Sequence, residues 1–283
     1  MIRCLLLTLI GLALFAESAL AQIEITAPGQ QAIPLAVTRF LPLEGTVRPE
    51  IAAEVDAVLQ SDLDLSGIFR LIDPAAFLSD ARQPGLNSTQ VDFGQWRLLG
   101  AEAVIKGAYT VQGDQLTIEA RLFDTPGRRL LTGRRYLGKV ADARRMAHAF
   151  ADEVLKSLTG EEGPFNTRIA YISNKTGHKE LYLMEVDGHE PIRLTDHRSI
   201  VLNPDFSAVG KELIFTSYRA GNPDLYRKEI YSGREARLSH RKGLNIAGRY
   251  RPDGREIALT LSQDGNSEIY LLGTDGTLHK RLT

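Results

Sequence analysis

The strongest constraint in this chain is a repeat. Tyr182, Tyr226 and Tyr270 stand 44 residues apart, and so do Gly177, Gly221 and Gly265, and Leu194, Leu238 and Leu282. Glu180, Asp224 and Glu268 each precede the tyrosine by two, and Arg193, Arg237 and Arg281 each precede the leucine by one. Five kinds of position keeping one register through three copies excludes coincidence. A period of about 40–45 residues built of short strands is the mark of a propeller blade, a unit that buries its apolar face only against a neighbour. Within a unit, alternating apolar residues (Ile169 and Tyr171, Leu213 and Phe215) predict strands with one buried face. Gly177, Gly221-Asn222, Asp187-Gly188, Ser232-Gly233 and Pro252-Asp253-Gly254 predict the turns between them.

Ahead of the repeat the pattern mixes helix and strand. Ala32 to Phe40 reads as a strand and Pro42 to Val47 as a loop. Pro49 suits the first turn of a helix, and Ile51, Val55, Val58, Leu59 and Leu63 continue it at helical spacing up to Gly67. A short strand at Ile68–Ile72, a loop at Pro84–Thr89, a helix over Val91–Leu99 and three strands (103–111, 116–123, 129–137) follow. A last helix, 142–158, carries Met146, Phe150, Val154 and Leu158 on one face. The order β-α-β-α-β-β-β-α predicts a small α/β domain over 33–158. Residues 159–166 form a linker, and 167–283 the propeller units, divided as 168–211, 212–255 and 256–283.

The start of the chain reads as an address. A basic Arg3, an apolar run from Leu5 to Phe15 and small residues at Ala19 and Ala21 predict a signal peptide over 1–21, cut between Ala21 and Gln22. The run is too short for a membrane-spanning helix, which takes about 20 residues. Cys4, the only cysteine, lies in this segment, so the expected mature chain has no thiol. Composition is that of a globular protein, with 43 % apolar and 24 % charged residues. A net charge of −1 argues against a general nucleic-acid or anionic-membrane binder.

Few residues offer catalytic chemistry. Asp62-x-Asp64-x-Ser66-Gly67 opens like a calcium loop, but the twelfth position is Asp73 and Leu63 and Leu65 fit an amphipathic helix. His189-Glu190-Pro191 lacks the second histidine of a zinc-protease motif, and His148, His178, His197, His240 and His279 have no ligand spacing. No Gly-x-Ser-x-Gly elbow occurs, and a strand would point Ser239 and His240 to opposite faces. The arginines between Arg128 and Arg145 are read as a solvated face or an acidic partner's contact. No cofactor, metal, nucleic acid or small-molecule substrate is expected.

Tyr250-x-Pro252-Asp253-Gly254-Arg255, then Ile257-Ala258-Leu259, Gly265-Asn266-x-Glu268-Ile269-Tyr270 and Arg281-Leu282-Thr283 resemble the WD40-like repeat of the TolB family, from the Tol-Pal envelope system. Gly163-Pro164-Phe165-Asn166-Thr167-Arg168-Ile169-Ala170-Tyr171 resembles that family's entry into its propeller, and Asp62 to Phe69 its N-terminal domain. The sequence departs at Ser207-Ala208-Val209-Gly210, where Ser-Pro-Asp-Gly is usual, and at Arg251, where serine is. The family propeller has six blades, so the expectation here is an incomplete propeller of about two and a half. The last unit would lack its final strands, as in a fragment or truncated gene product.

The resemblance implies a periplasmic, non-enzymatic scaffold serving outer-membrane integrity and cell division. It implies that Pal, a peptidoglycan-associated lipoprotein, docks at the end of the channel holding Leu202 and Asn203 and Leu244, Asn245, Ile246 and Ala247. Leu244 and Ile246 are apolar where a solvated loop is usually polar, which fits either partner contact or packing within the blade. It further implies that Gln22, Ile23, Glu24, Ile25 and Thr26 engage TolA, an inner-membrane protein. Their alternation suits strand addition to a sheet edge, and equally an edge strand of their own domain. The rival function is a secreted, propeller-fronted peptidase whose catalytic domain is missing from this chain.

Overall fold

The computed structural model describes residues 32–283. The predicted signal peptide and the Gln22–Thr26 segment therefore lie outside the described residues.

An α/β layer comes first. Its elements are β1 (Ile33–Val37), β2 (Leu41–Gly45), α1 (Pro49–Leu65), β3 (Phe69–Leu71), α2 (Phe93–Leu98), β4 (Ala103–Gln112), β5 (Gln115–Asp124), β6 (Arg129–Lys139) and α3 (Ala143–Thr159). The sheet runs β3-β1-β4-β5-β6, parallel from β3 to β4 and antiparallel thereafter. The stretch read as a loop at 42–47 is largely a strand: β2 pairs with β4 through Leu41↔Ala108 and Pro42↔Tyr109. Its proline and short length disguise it, yet an edge strand tolerates a proline whose missing N–H no neighbour needs.

β1 and β2 run along the same edge of β4, interrupted at Phe40. The Phe40 ring lies so close over Gly107 that a Cβ there would sit 2.2 Å from it. The Phe40 amide donates to Asp56 Oδ1 of α1 at 3.2 Å, pinning the interruption to the helix. Burial pushes the Asp56 carboxyl up to about 7, against the opposing pull of the Phe40 amide and Arg39.

Both faces of this sheet are covered. On one, α1 and α3 bury Val55, Leu59, Leu63, Met146, Phe150 and Val154 against β4 and β5. On the other, α2 packs Phe93 and Trp96 on Val104 and Phe123. A polar pin runs through that second layer. Trp96 Nε1 and Lys106 Nζ both donate to Asp80 Oδ2 at 2.6 Å, and the Asp92 amide donates to Asp80 Oδ1 at 2.9 Å. The Lys106 side chain is wholly buried and Asp80 nearly so.

The repeat region forms separate sheets, each an antiparallel meander: β7 (Arg168–Ser173), β8 (Glu180–Glu185) and β9 (Ile192–Arg193); β10 (Val201–Phe206), β11 (Glu212–Ser217), β12 (Asp224–Glu229) and β13 (Glu235–Ser239); β14 (Asn245–Tyr250), β15 (Glu256–Leu261), β16 (Glu268–Gly273) and β17 (Leu278–Arg281). These are propeller blades. The third sheet has four strands, a correction to the expectation that it lacks its last ones, and the three-stranded sheet is the first. A sequence period fixes spacing but not where in the period a sheet begins. The position filled by β10 and β14 falls, one repeat earlier, on the end of α3 and the linker.

The repeated residues have repeated jobs. Tyr182, Tyr226 and Tyr270 are buried and pair across the sheet with Tyr171, Phe215 and Leu259. The turn at Ser207–Gly210 survives its departure from the usual sequence: Gly210 (φ 66°) and Gly254 (φ 73°) take the same left-handed conformation, and each amide donates back three residues at 2.8 Å. The linker is no free tether. Phe165 is buried among α/β-core residues, and the amides of Phe165 and Asn166 donate to Asp152 of α3 at 2.8 and 3.2 Å.

Replacing Asp80 by alanine strands a buried ammonium and an indole N–H. The expected loss is about 3–5 kcal/mol in urea unfolding, and a loss under about 1 kcal/mol would show that the pin carries no stability. Asp56 gives a prediction of opposite sign. Its raised carboxyl favours the folded state when protonated, so stability falls as pH climbs from the ordinary carboxylate range through about 7. Asp56→Asn is expected to stabilise the protein by a few kcal/mol at about pH 8 and by little near pH 4. Equal effects at both pH values would contradict the buried-carboxyl assignment.

Candidate functional site

The innermost strands β10 and β14 run side by side and carry most of the residues singled out in the sequence. Each has a bulge against its neighbour, between Leu202 and Asp205 in one and between Ile246 and Arg249 in the other. Equivalent residues take positive φ there, Asn203 at 52° and Ala247 at 55°. A left-handed residue turns the backbone out of the ladder and re-aims its neighbours. Repeated in two blades, this gives a rim of defined shape rather than a loose loop.

Side-chain bonds fix that rim. The Ala247 amide donates to Thr216 Oγ1 at 3.2 Å, and the Leu244 amide to Ser262 Oγ at 2.8 Å. Asp205 couples the two strands: it accepts from the Tyr250 amide at 2.8 Å and from Arg249 at 3.3 Å, while Arg249 also donates to the Pro204 carbonyl at 3.0 Å.

Of the predicted residues, Asn203 is exposed, and Leu202, Leu244, Ile246 and Ala247 are half-buried on this rim. Asn245 differs. It is fully buried, accepts from Ser239 Oγ at 2.6 Å and the Arg241 amide at 2.8 Å, and donates to the carbonyls of Arg241 and Gly243 at 2.7 and 3.1 Å. All its polar capacity is taken up inside the corner, so the expectation of a partner contact at Asn245 is corrected to a positioning role. Nothing in the sequence separates an asparagine buried in this way from an exposed one.

Two polar clusters lie beyond sequence reasoning. His197 Nδ1 is 2.7 Å from Ser217 Oγ and its Nε2 is 3.1 Å from Glu235, which also pairs with Arg219 at 2.6 Å. The composition suggests a nucleophile, a base and a carboxylate. Ser217 is fully buried, however, and His197 packs on Phe215 and Tyr226, so the set ties the turn before β10 to its sheet. Ser239 and His240 are likewise apart: the serine is buried on Asn245 and the histidine is exposed.

The second cluster joins α3 to the first sheet. Ligand atoms of His148, Glu185 and Asp187 lie within 4.8 Å of one another, the one such trio among the described residues. Arg144 already fills it, donating to Glu185 Oε2 at 2.9 Å and to Asp187 Oδ2 at 2.5 Å. The resident cation is a guanidinium.

Comparison with known proteins agrees with this architecture. Residues 21–131 match the TolB amino-terminal domain and residues 155–283 the TolB beta propeller domain. The Tol-Pal system protein TolB of Syntrophotalea carbinolica is 63 % identical over 203 residues, 72 % of this chain and 47 % of that protein. Its namesake in Geobacter sulfurreducens is 45 % identical over 67 % of this chain and 43 % of its own length. The chain thus spans about half the length of the curated relatives it matches. The crystal structure of TolB from Acinetobacter baumannii superposes with a TM-score of 0.75 over 89 % of this chain and 61 % of that one; at 24 % identity it speaks for the fold. The two domain matches, in this order and with this fold, mean that the chain belongs to the TolB family.

Proposed function

We propose that this protein is a periplasmic binding module of the Tol-Pal system that works by docking partners rather than by catalysis. Its rim would receive a Pal-like lipoprotein through Leu202, Asn203, Leu244, Ile246 and Ala247, with Asn245 holding the corner beneath them. The segment Gln22, Ile23, Glu24, Ile25 and Thr26, ahead of the described residues, would engage a TolA-like inner-membrane protein. Together these contacts would link the two membranes in support of outer-membrane integrity and constriction at division.

The observation that carries the reading is the rim itself. Two successive blades repeat the same bulge with the same left-handed residue, and apolar Leu202, Leu244 and Ile246 stand half-buried on it. Half-buried apolar groups on a braced backbone suit a protein partner, because little ordering entropy is then lost on docking. Membership of the TolB family and the relatives' shared name, Tol-Pal system protein TolB, support the choice of system.

Leu244→Asp and Ile246→Asp are expected to weaken binding of purified Pal about tenfold or more each, as for anchors worth roughly 2 kcal/mol, while leaving the melting temperature within a few degrees of the parent. Unchanged affinity in calorimetric titration would move the Pal surface elsewhere. Deleting Gln22–Thr26 is expected to abolish capture of a TolA-like domain without altering thermal stability. A deletion that unfolds the protein would make the segment a strand of its own domain.

A further inference from the structure

Arg144, His148 and Asp152 lie four residues apart on α3 and form a single stripe. Each reaches beyond its own helix. Asp152 accepts the Phe165 and Asn166 amides at the entry to the propeller. Arg144 binds Glu185 and Asp187 at the end of β8 and the turn after it. His148 stands between the two domains: Nδ1 is 2.7 Å from Asp62 Oδ2 of α1, and Nε2 is 3.4 Å from Glu185 Oε2. The imidazole is 3 % exposed and Asp62 not at all. Asp62 Oδ1 has no hydrogen-bond partner.

Charge balance makes His148 the variable member. Asp62 from α1, Glu185 from β8, Asp187 from the turn after it and Asp152 from α3 surround it with carboxylates; burial pushes those of Asp62 and Asp152 up, against the pull of their hydrogen bonds, and Arg144 is the only permanent cation in the group. Burial opposes an imidazolium here, but the Asp62 hydrogen bond and the charges of Asp62, Asp187 and Glu185 outweigh it and hold His148 above its ordinary range. Burial also pushes Asp187 up, yet the His189 amide and Arg144 pull it below the usual carboxylate range, so it stays ionised as His148 titrates. Once the imidazolium is neutral, four carboxylates face one guanidinium in a largely buried site, and the 3.4 Å contact to Glu185 loses its charge.

We propose that this stripe is a proton-operated clasp between the α/β domain and the first propeller sheet, closed while His148 carries its proton and released when it loses it. A basic group raised in the folded state contributes stability that is complete below its ordinary pKa and disappears as pH rises through the raised value. The clasp is therefore firm near neutral pH and slackens on the alkaline side. Phe165 and Val186, both packed on the α/β core, remain as the apolar pivot.

The test follows the His148 imidazole by NMR on the whole chain from about pH 6 to pH 9, alongside amide exchange at Glu185–Gly188 and Phe165–Asn166 corrected for base catalysis. His148 is expected to titrate above about 6.5, and protection at Glu185–Gly188 to fall with the same midpoint. The fall should reach up to about tenfold for every pH interval of about one by which that midpoint exceeds about 6.5. His148→Gln, which has no removable charge, should show low protection that no longer varies with pH. Asp62→Asn keeps the imidazole but removes its partner's charge, and should move the midpoint down. That second variant decides the question even where His148→Gln fails to fold. A midpoint at or below about 6.5, protection that ignores the titration, or an Asp62→Asn midpoint equal to the parent's would each overturn the clasp.

Discussion

No sheet of the repeat region can bury its own apolar face; each depends on the next. Leu213, Phe215 and Tyr226 of the second sheet close over Leu181 of the first, together with Val201. Ile214 and Leu225, on the opposite face of that sheet, meet Ile257, Leu259 and Leu272 of the third. Each fully buried side chain of this size contributes about 1.5–3 kcal/mol relative to exposure. Stacking therefore supplies the stability that lets each sheet remain a short meander. The alternation Leu213-Ile214-Phe215, apolar on both faces, is what an inner blade needs, since both of its surfaces are covered.

Stacking also explains how the rim proposed as a docking surface gets its shape. Equivalent residues in successive blades fall on the same end of the stack, so one bulge repeated twice yields two neighbouring steps of one surface. Asp205 ties those steps together by accepting from the next strand's Tyr250 amide and Arg249. The rim is thus braced across blades as well as within them, and side chains at 202–203 and 246–247 differ between blades while their backbone does not. The backbone shape comes from the repeat, and the side chains it presents come from what departs from it.

What is legible in the sequence follows the range of each interaction. The 44-residue spacing, the helix from Pro49 and the amphipathic stripe of α3 depend on neighbours a few residues away, and each can be read directly. The blade phase cannot, because a period has no origin until a strand finds its partner. β2 is hidden by its proline. The polar pins are out of reach for a different reason: Asp80 meets Lys106 across 26 residues and Asp62 meets His148 across 86. In the sequence Asp62 stands out only within a string imitating a calcium loop, whereas in the fold it is an inward-facing helix residue. At the rim, Leu244 and Ile246 stand out in the sequence as apolar residues where a solvated loop is usually polar, but the buried corner role of Asn245 does not show.

The cost of the junction argues for its purpose. Burying Asp62 with an unbonded oxygen beside a histidine stabilises less than an apolar pair of the same volume would. The apolar alternative was at hand, since Phe165 and Val186 already pack across the same boundary. An ionic set does something that such packing cannot: it holds one orientation by directed bonds and lets go when a single proton leaves. Phe165 keeps the domains attached in either case, because apolar contact is indifferent to pH. Attachment and orientation are thereby assigned to different residues, and only orientation is tied to a titrating group.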